Sequence, residues 1–384
     1  ALSMLYKVGS RNDPPGRTGF AHLFEHLMFA GSENVENFDD ALHQAGGENN
    51  AYTTSDYTIY YDVIPSENIE TALWLESDRM RALNFSEKVL RTQQKVVVEE
   101  FKETCLEEPY GDAYHYLYDL AYQKHPYRWP VIGLNFADID AAELPEVKEF
   151  FYQYYRPNNA ILSLCGNFDP ENIKASINEW FGEIPVGKGP LDAPFPSEPP
   201  IEHTRRKVVY SDVPTPAIYL AFPVPGRLHQ DFYALDILAF LFGGGRSSKL
   251  YRRLVRDREV FHQIEAGMSH SFDPGLLLIE GRVSEDQPVE AALAALLSRL
   301  EQLCTEGIME RELQKVLNRL EIRNFYGDIS LTNRGEELCY YAALGKLELV
   351  NDSVAHYQAV TVADLQRVAE TYLQPNHRIE LLYL

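Results

Sequence analysis

Apolar positions recur at helical spacing before Ala30, where Leu23, Phe24, Leu27 and Met28 would bury one side of a helix. The turn signal Pro14-Pro15-Gly16 precedes that run, Thr18 stands where an N-cap would, and Gly31 stands where the helix would stop. The period then changes. Residues 49–63 are rich in Thr, Tyr and β-branched side chains, which predicts two strands joined near Ser55-Asp56. Helices are predicted over about 66–83 and 86–103, each with Ser at its N-cap and Glu in its first turn, and Asp169-Pro170-Glu171 opens another with Pro at its first position. Residues 1–8 read as a strand already under way, so an upstream strand is expected to be missing.

The stretch from Gly182 to Pro200 is crowded with Pro and Gly and lacks an apolar period, which marks it as a linker. The expected organisation is therefore a first domain at 1–185, a linker at 186–202 and a second domain at 203–384. A weak internal repeat agrees with that division. Tyr154-Tyr155-Arg156-Pro157-Asn158 follows a predicted helix and precedes an apolar strand, and Tyr372-Leu373-Gln374-Pro375-Asn376 does the same near the end. Aligning His22–Ser32 with Leu235–Gly245 places Leu235, Leu238 and Ala239 where the first copy has His22, Glu25 and His26. One half keeps the chemistry. Strands interleaved with helices fit an α+β class: two homologous sandwich domains, each a mainly antiparallel sheet with helices packed on one face. A parallel α/β sheet is less favoured, because the strand-rich runs at 49–63 and 204–224 are easier to join as hairpins than as crossovers.

Composition narrows the function. At 384 residues the chain has room for two cores, and 45% hydrophobic with 24% charged residues is ordinary for a globular protein. A formal charge of −22 disfavours nucleic acid and anionic membrane surfaces as partners, while basic peptides would be attracted. Cys105, Cys165, Cys304 and Cys339 lie far apart without a C-x-x-C pair, which suggests neither a disulfide framework nor a thiolate metal site. No apolar run is long enough to span a bilayer. The compartment, periplasmic or cytoplasmic, is left open.

His22 and His26 are four apart on the first helix, so both imidazoles can be aimed at one ion, and Glu25 shares that side. A catalytic zinc with a position left for water needs a third protein ligand. The helix carrying Gln93–Glu103 offers Glu99 and Glu100, and because adjacent helical residues point about 100° apart, only one of them would ligate. Zinc would bring the pKa of a water from ~16 toward ~7, and Glu25, if not itself a ligand, would take the proton and pass it to the leaving amine. A two-His, one-carboxylate set also accepts manganese or cobalt. A pair of His on an amphipathic helix is often structural. The Glu at working spacing and the later helix with paired carboxylates raise the metal reading above that alternative.

His22-Leu23-Phe24-Glu25-His26 is the H-x-x-E-H order of the inverzincins. More specifically, RTGFAHLFEHLMFAGS, GGENNAYTTSDYTIYY and KVVVEEFKE resemble the pitrilysin family of zinc metallopeptidases, in family order and spacing, and the repeated halves extend the likeness over essentially the whole chain. The resemblance implies two homologous α+β domains, one Zn2+ per chain held by His22, His26 and a distal Glu, and Glu25 as base. It favours Glu100 over Glu99. It further implies that Asn50, Ala51, Tyr52 and Thr53 belong to an edge strand to which the peptide substrate adds as a β-strand, with Phe29 and Tyr52 shaping a pocket beside the scissile bond. Gln93 stands where relatives often carry an auxiliary Glu. The family's second domain usually supplies an Arg and a Tyr to hold the substrate carbonyl; here Arg256 or Arg258 matches the Arg, while Phe261 and His262 stand in the Tyr region. A half-length chain of this kind is expected to close its chamber with a homodimer mate or a related non-catalytic subunit. The expected activity is zinc endopeptidase. The rivals are a silent scaffold subunit and a peptide-binding module.

Overall fold

The computed structural model describes residues 1–187 and 194–384. Residues 188–193 of the expected linker lie outside the described residues, and the described remainder of 186–202 carries neither helix nor strand. The described strands are β1 (Leu2–Tyr6), β2 (Glu48–Thr53), β3 (Thr58–Val63), β4 (Ala160–Leu164), β5 (Arg205–Val209), β6 (Ala217–Val224), β7 (Phe261–Met268), β8 (Gly275–Val283) and β9 (Ile379–Tyr383). They form two sheets, ordered β2-β3-β1-β4 and β5-β9-β6-β8-β7. The first is antiparallel throughout; the second is antiparallel except where β5 runs parallel to β9.

The hairpin expected over 49–63 forms, with Asn49 opposite Asp62 and Thr53 opposite Thr58. The one expected over 204–224 does not. The C-terminal strand β9 lies between β5 and β6 and pairs with both. Its sequence, Ile379-Glu380-Leu381-Leu382-Tyr383, is buried at every position, so a place in the sheet interior removes more apolar surface from water than an edge would.

Contacts divide the chain into two compact units that a single cut at the linker would not produce. One unit comprises residues 1–104, 129–196 and 326–350; the other comprises 105–128, 197–325 and 351–384. Each half of the sequence therefore gives one helical segment to the unit built mainly by the other half. In the first unit, Leu2, Met4 and Tyr6 of β1 pack with Phe24, Leu27 and Phe151, while Leu5 on the opposite face packs with Ile59 and Cys339. Cys339 belongs to the helix Leu331–Ala343, whose approach to β1 needs the glycine at 335, because a Cβ there would come within 2.6 Å of Ser3 Oγ. The second unit repeats the plan: Ile218, Leu220 and Phe222 of β6 face the helix Phe232–Gly243, and Tyr219 and Ala221 face the helix Ala113–Ala121. Helices thus cover both faces of each sheet, adding a layer to the one expected. That is why β1 and β6 are apolar almost without alternation.

The repeat has a structural counterpart. Helices Leu144–Tyr154 and Val362–Tyr372 precede the two Pro-Asn turns, and β4 and β9 follow them. The helix Phe232–Gly243 matches Phe20–Phe29, with Leu235, Leu238 and Ala239 buried in core. The described cysteines are free thiols, and no helix among the described residues is long and apolar enough to cross a membrane.

Candidate metal centre

The motif helix spans Phe20–Phe29 and turns its apolar side, Phe20, Leu23, Phe24 and Leu27, into the core of the first unit. Thr18 is not its N-cap. The helix starts after Gly19, whose φ of 90° belongs to the left-handed region, and its first N–H groups are met by Asp13 from upstream. Asp13 Oδ2 accepts from Gly19 N at 2.7 Å and Oδ1 from Ala21 N at 2.9 Å. Burial raises the pKa of Asp13, favouring the neutral form, and its backbone hydrogen bonds pull it back. Thr18 instead donates its hydroxyl to Asp138 at 2.7 Å and accepts from Leu134 N at 2.8 Å. Replacing Asp13 by Ala is expected to cost about 1–2 kcal/mol of unfolding free energy in denaturant titration, with Asp13→Asn losing less; equal stability of all three proteins would refute this capping role.

His22 and His26 lie one turn apart with ring centroids 5.0 Å apart and planes at 86°. The helix Glu87–Phe101 crosses beside them, started by Ser86, whose hydroxyl accepts from Val89 N at 3.2 Å. Its last turn carries Glu100, with one oxygen 3.2 Å from His26 Nε2 and the other 3.6 Å from His22 Nε2. Nitrogen and oxygen ligands about 2.0–2.1 Å from a tetrahedral zinc stand about 3.3 Å from each other, so this spacing suits a divalent ion. Among the described residues these three form the one cluster of His, Cys, Asp or Glu whose ligand atoms all lie within 4.8 Å of one another. Glu99 points elsewhere and pairs with Lys102 at 2.6 Å.

The electrostatics favour ligation. Burial lowers the pKa of His22 below the ordinary histidine value against the opposing pull of Glu100 and Glu25, which keeps its imidazole neutral. The hydrogen bond with His26 holds Glu100 below the usual carboxylate range despite its partial burial. A neutral imidazole and an ionised carboxylate are the forms a metal accepts.

Glu25 is not part of the three-residue cluster. Its Oε2 accepts a hydrogen bond from Thr53 Oγ1 at 2.6 Å. Thr53 is a site residue that the motif alone does not single out, although strand alternation offers a signal: in β2, Ala51 and Thr53 share the face toward the motif helix, and Tyr52 takes the other. Ala51 packs against the core that includes Phe24 and Leu27. Tyr52 packs with Leu5, Ile59 and Cys339, and its hydroxyl donates to Glu336 at 3.1 Å. Its side chain therefore does not line the metal side of β2, contrary to the pocket-shaping role expected for it, because period two sends neighbouring side chains to opposite faces. Phe29 is also engaged in packing, with Phe38 at 6.1 Å and Tyr60 at 5.9 Å between ring centroids.

Among the described residues strand β2 is an edge, as expected, with β3 its one neighbour in the sheet. Ala51 N donates to the side-chain oxygen of Asn50 at 2.8 Å rather than to β3, which puts the Ala51 backbone on the outer row of the strand. In the second unit, Arg256 pairs with the adjacent Asp257 at 2.8 Å, and His262 is exposed on β7.

Comparison with known proteins fits this arrangement. Residues 1–133 match the family model "Insulinase (Peptidase family M16)", and residues 142–320 match "Peptidase M16 inactive domain", the part without the His and Glu motif. The zinc protease PqqE of Helicobacter pylori is 29% identical over 97% of this chain and 85% of its own length. The uncharacterized zinc protease YmxG of Bacillus subtilis is 24% identical over 100% of this chain and 92% of its own. The crystal structure of a protease from Helicobacter pylori superposes with a TM-score of 0.93 at 28% identity, covering 100% of this chain and 94% of that one. Pitrilysin matches with a TM-score of 0.77 at 18% identity, and there the whole of this chain covers 42% of that one. The chain belongs to peptidase family M16, as a short, two-domain member of the pitrilysin group.

Proposed function

We propose that the chain is a zinc-dependent endopeptidase acting on peptides or unfolded segments that join β2 as an added strand. The observation that carries this reading is the convergence of His22, His26 and Glu100 beside a separate carboxylate, Glu25, on the same helix. A purely structural metal site has no need of that fourth group. The zinc-protease names of the relatives support the same metal.

His22, His26 and Glu100 would hold the ion, which when bound supplies Lewis acidity and makes a water deprotonable near neutral pH. Glu25 takes the proton of the attacking water and returns it to the leaving amine, so that neither hydroxide nor an amide anion is released into solution. The outward backbone groups of β2 align the substrate by hydrogen bonds that any sequence can make; side chains would then tune preference. Closure of the chamber falls to a second copy or a related non-catalytic subunit, and Arg256 or His262 is the proposed contributor to the substrate carbonyl from this fold's second half.

Metal analysis tests the reading directly. The purified chain is expected to bind one zinc per molecule and to cleave a quenched fluorescent peptide, with chelation abolishing cleavage and zinc restoring it. Glu100→Gln should weaken zinc binding by more than the ~10–100-fold typical of losing an outer partner of a ligand, whereas Glu99→Gln should leave it unchanged. Zinc binding with no hydrolysis, alone or with candidate partner subunits, would favour the scaffold.

A further inference from the structure

Thr53 joins two parts of the site that the proposed reaction needs at once. Its side chain reaches Glu25, while its backbone belongs to the outer row of β2. The row assignment follows from two contacts. Thr54 N donates to Tyr57 O, and Ala51 N turns away from β3 to the Asn50 side chain. In an antiparallel ladder residues alternate between facing the neighbour and facing away, so the outward set includes Asn49, Ala51 and Thr53. Thr58, directly opposite on β3, has its hydroxyl 3.4 Å from Thr53 Oγ1 but donates its proton to Val8 O at 2.9 Å, so it does not compete with Glu25 for Thr53.

We infer that Thr53 is the positioning residue for Glu25, donating its hydroxyl proton to Oε2 so that the other carboxylate oxygen is left to accept a proton. The inference rests on the peptidase reading and deepens it. One carboxylate oxygen with a fixed donor cannot rotate freely, and a base held in a productive orientation avoids an entropic cost at the moment of reaction. Because the same residue offers its N–H and C=O to the outer edge, the docked peptide strand and the base share one rigid support. Displacement of β2 would misplace both together.

The test compares Thr53→Val, which keeps shape but removes the donor, with Thr53→Ser, which keeps the donor. In the zinc-loaded chain, Thr53→Val is expected to lower kcat by about 10–100-fold with KM changed less than threefold, while Thr53→Ser retains most of the rate. Zinc stoichiometry and melting temperature should be unchanged in both. A second measurement needs no activity: in the metal-free chain labelled at glutamate Cδ, the Glu25 carbon signal, identified by its loss in Glu25→Gln, is expected to shift in Thr53→Val and to stay in place in Thr53→Ser. Full kcat in Thr53→Val, or a Glu25 signal indifferent to it, overturns the inference. If wild type does not hydrolyse peptides, the peptidase reading falls, and the carbon shift still decides whether Thr53 holds Glu25.

Discussion

Glu25→Gln is expected to leave zinc content and fold intact while lowering kcat for peptide cleavage by about 10²–10⁴-fold, the usual contribution of a positioned general base. The amide keeps the volume and can still meet Thr53, so the loss reports proton transfer rather than packing. His26→Ala should differ in kind, because it removes a ligand and takes the zinc with it. Stopped assays over a range of peptide concentrations, with metal measured on the same samples, separate the two. A Glu25→Gln protein that cleaves at more than about a tenth of the wild-type rate would remove Glu25 from the mechanism.

The second large effect lies in the core of the same unit. Arg79 is 1% exposed and Glu76 fully buried, yet they form an ion pair, with Arg79 Nε 2.9 Å from Glu76 Oε2 and a further contact through Nη2. The guanidinium lies over Phe38 and Tyr60, each 4.3 Å from the ring centroid. Asp62 is buried nearby; burial pushes its pKa well up, Glu76 adds to the effect and Arg79 opposes it. Arg79→Met leaves Glu76 without its cation in a medium that solvates charge poorly, and is expected to cost about 3–5 kcal/mol. Arg79→Met combined with Glu76→Leu should recover much of that loss, since burying neither charge removes the desolvation penalty of both. Urea unfolding monitored on the first unit gives both numbers. A single variant within about 1 kcal/mol of wild type would show that the pair carries little net coupling.

Much of this site can be read along the chain because its elements are local. His22, Glu25 and His26 sit within two turns of one helix, and helical geometry alone aligns them. The choice of Glu100 required knowing how one helix crosses another, which spacing leaves open and the family likeness suggests. Asp13 escaped because a motif search looks for a cap immediately before the first helical residue, whereas this carboxylate bends back from six positions before Gly19. Tyr52 and Thr53 show a different limit. The strand was legible, but assigning a face needs one known contact, and the resemblance carried the aromatic residue to the site instead of its small neighbour. The failed hairpin at 204–224 reflects pairing with a strand some 170 residues later, for which local pattern holds no signal.

The exchange of helical segments between the two halves bears on how such a fold can be divided. Severing the polypeptide near residue 190 would leave the motif-bearing fragment without the helix Leu331–Ala343, and the remaining fragment without Ala113–Ala121. Each piece would present Leu5 and Ile59, or Tyr219 and Ala221, to water. Neither half is a free-standing module that gene fusion could simply append to another protein, because each would lack a helix that covers one face of its sheet.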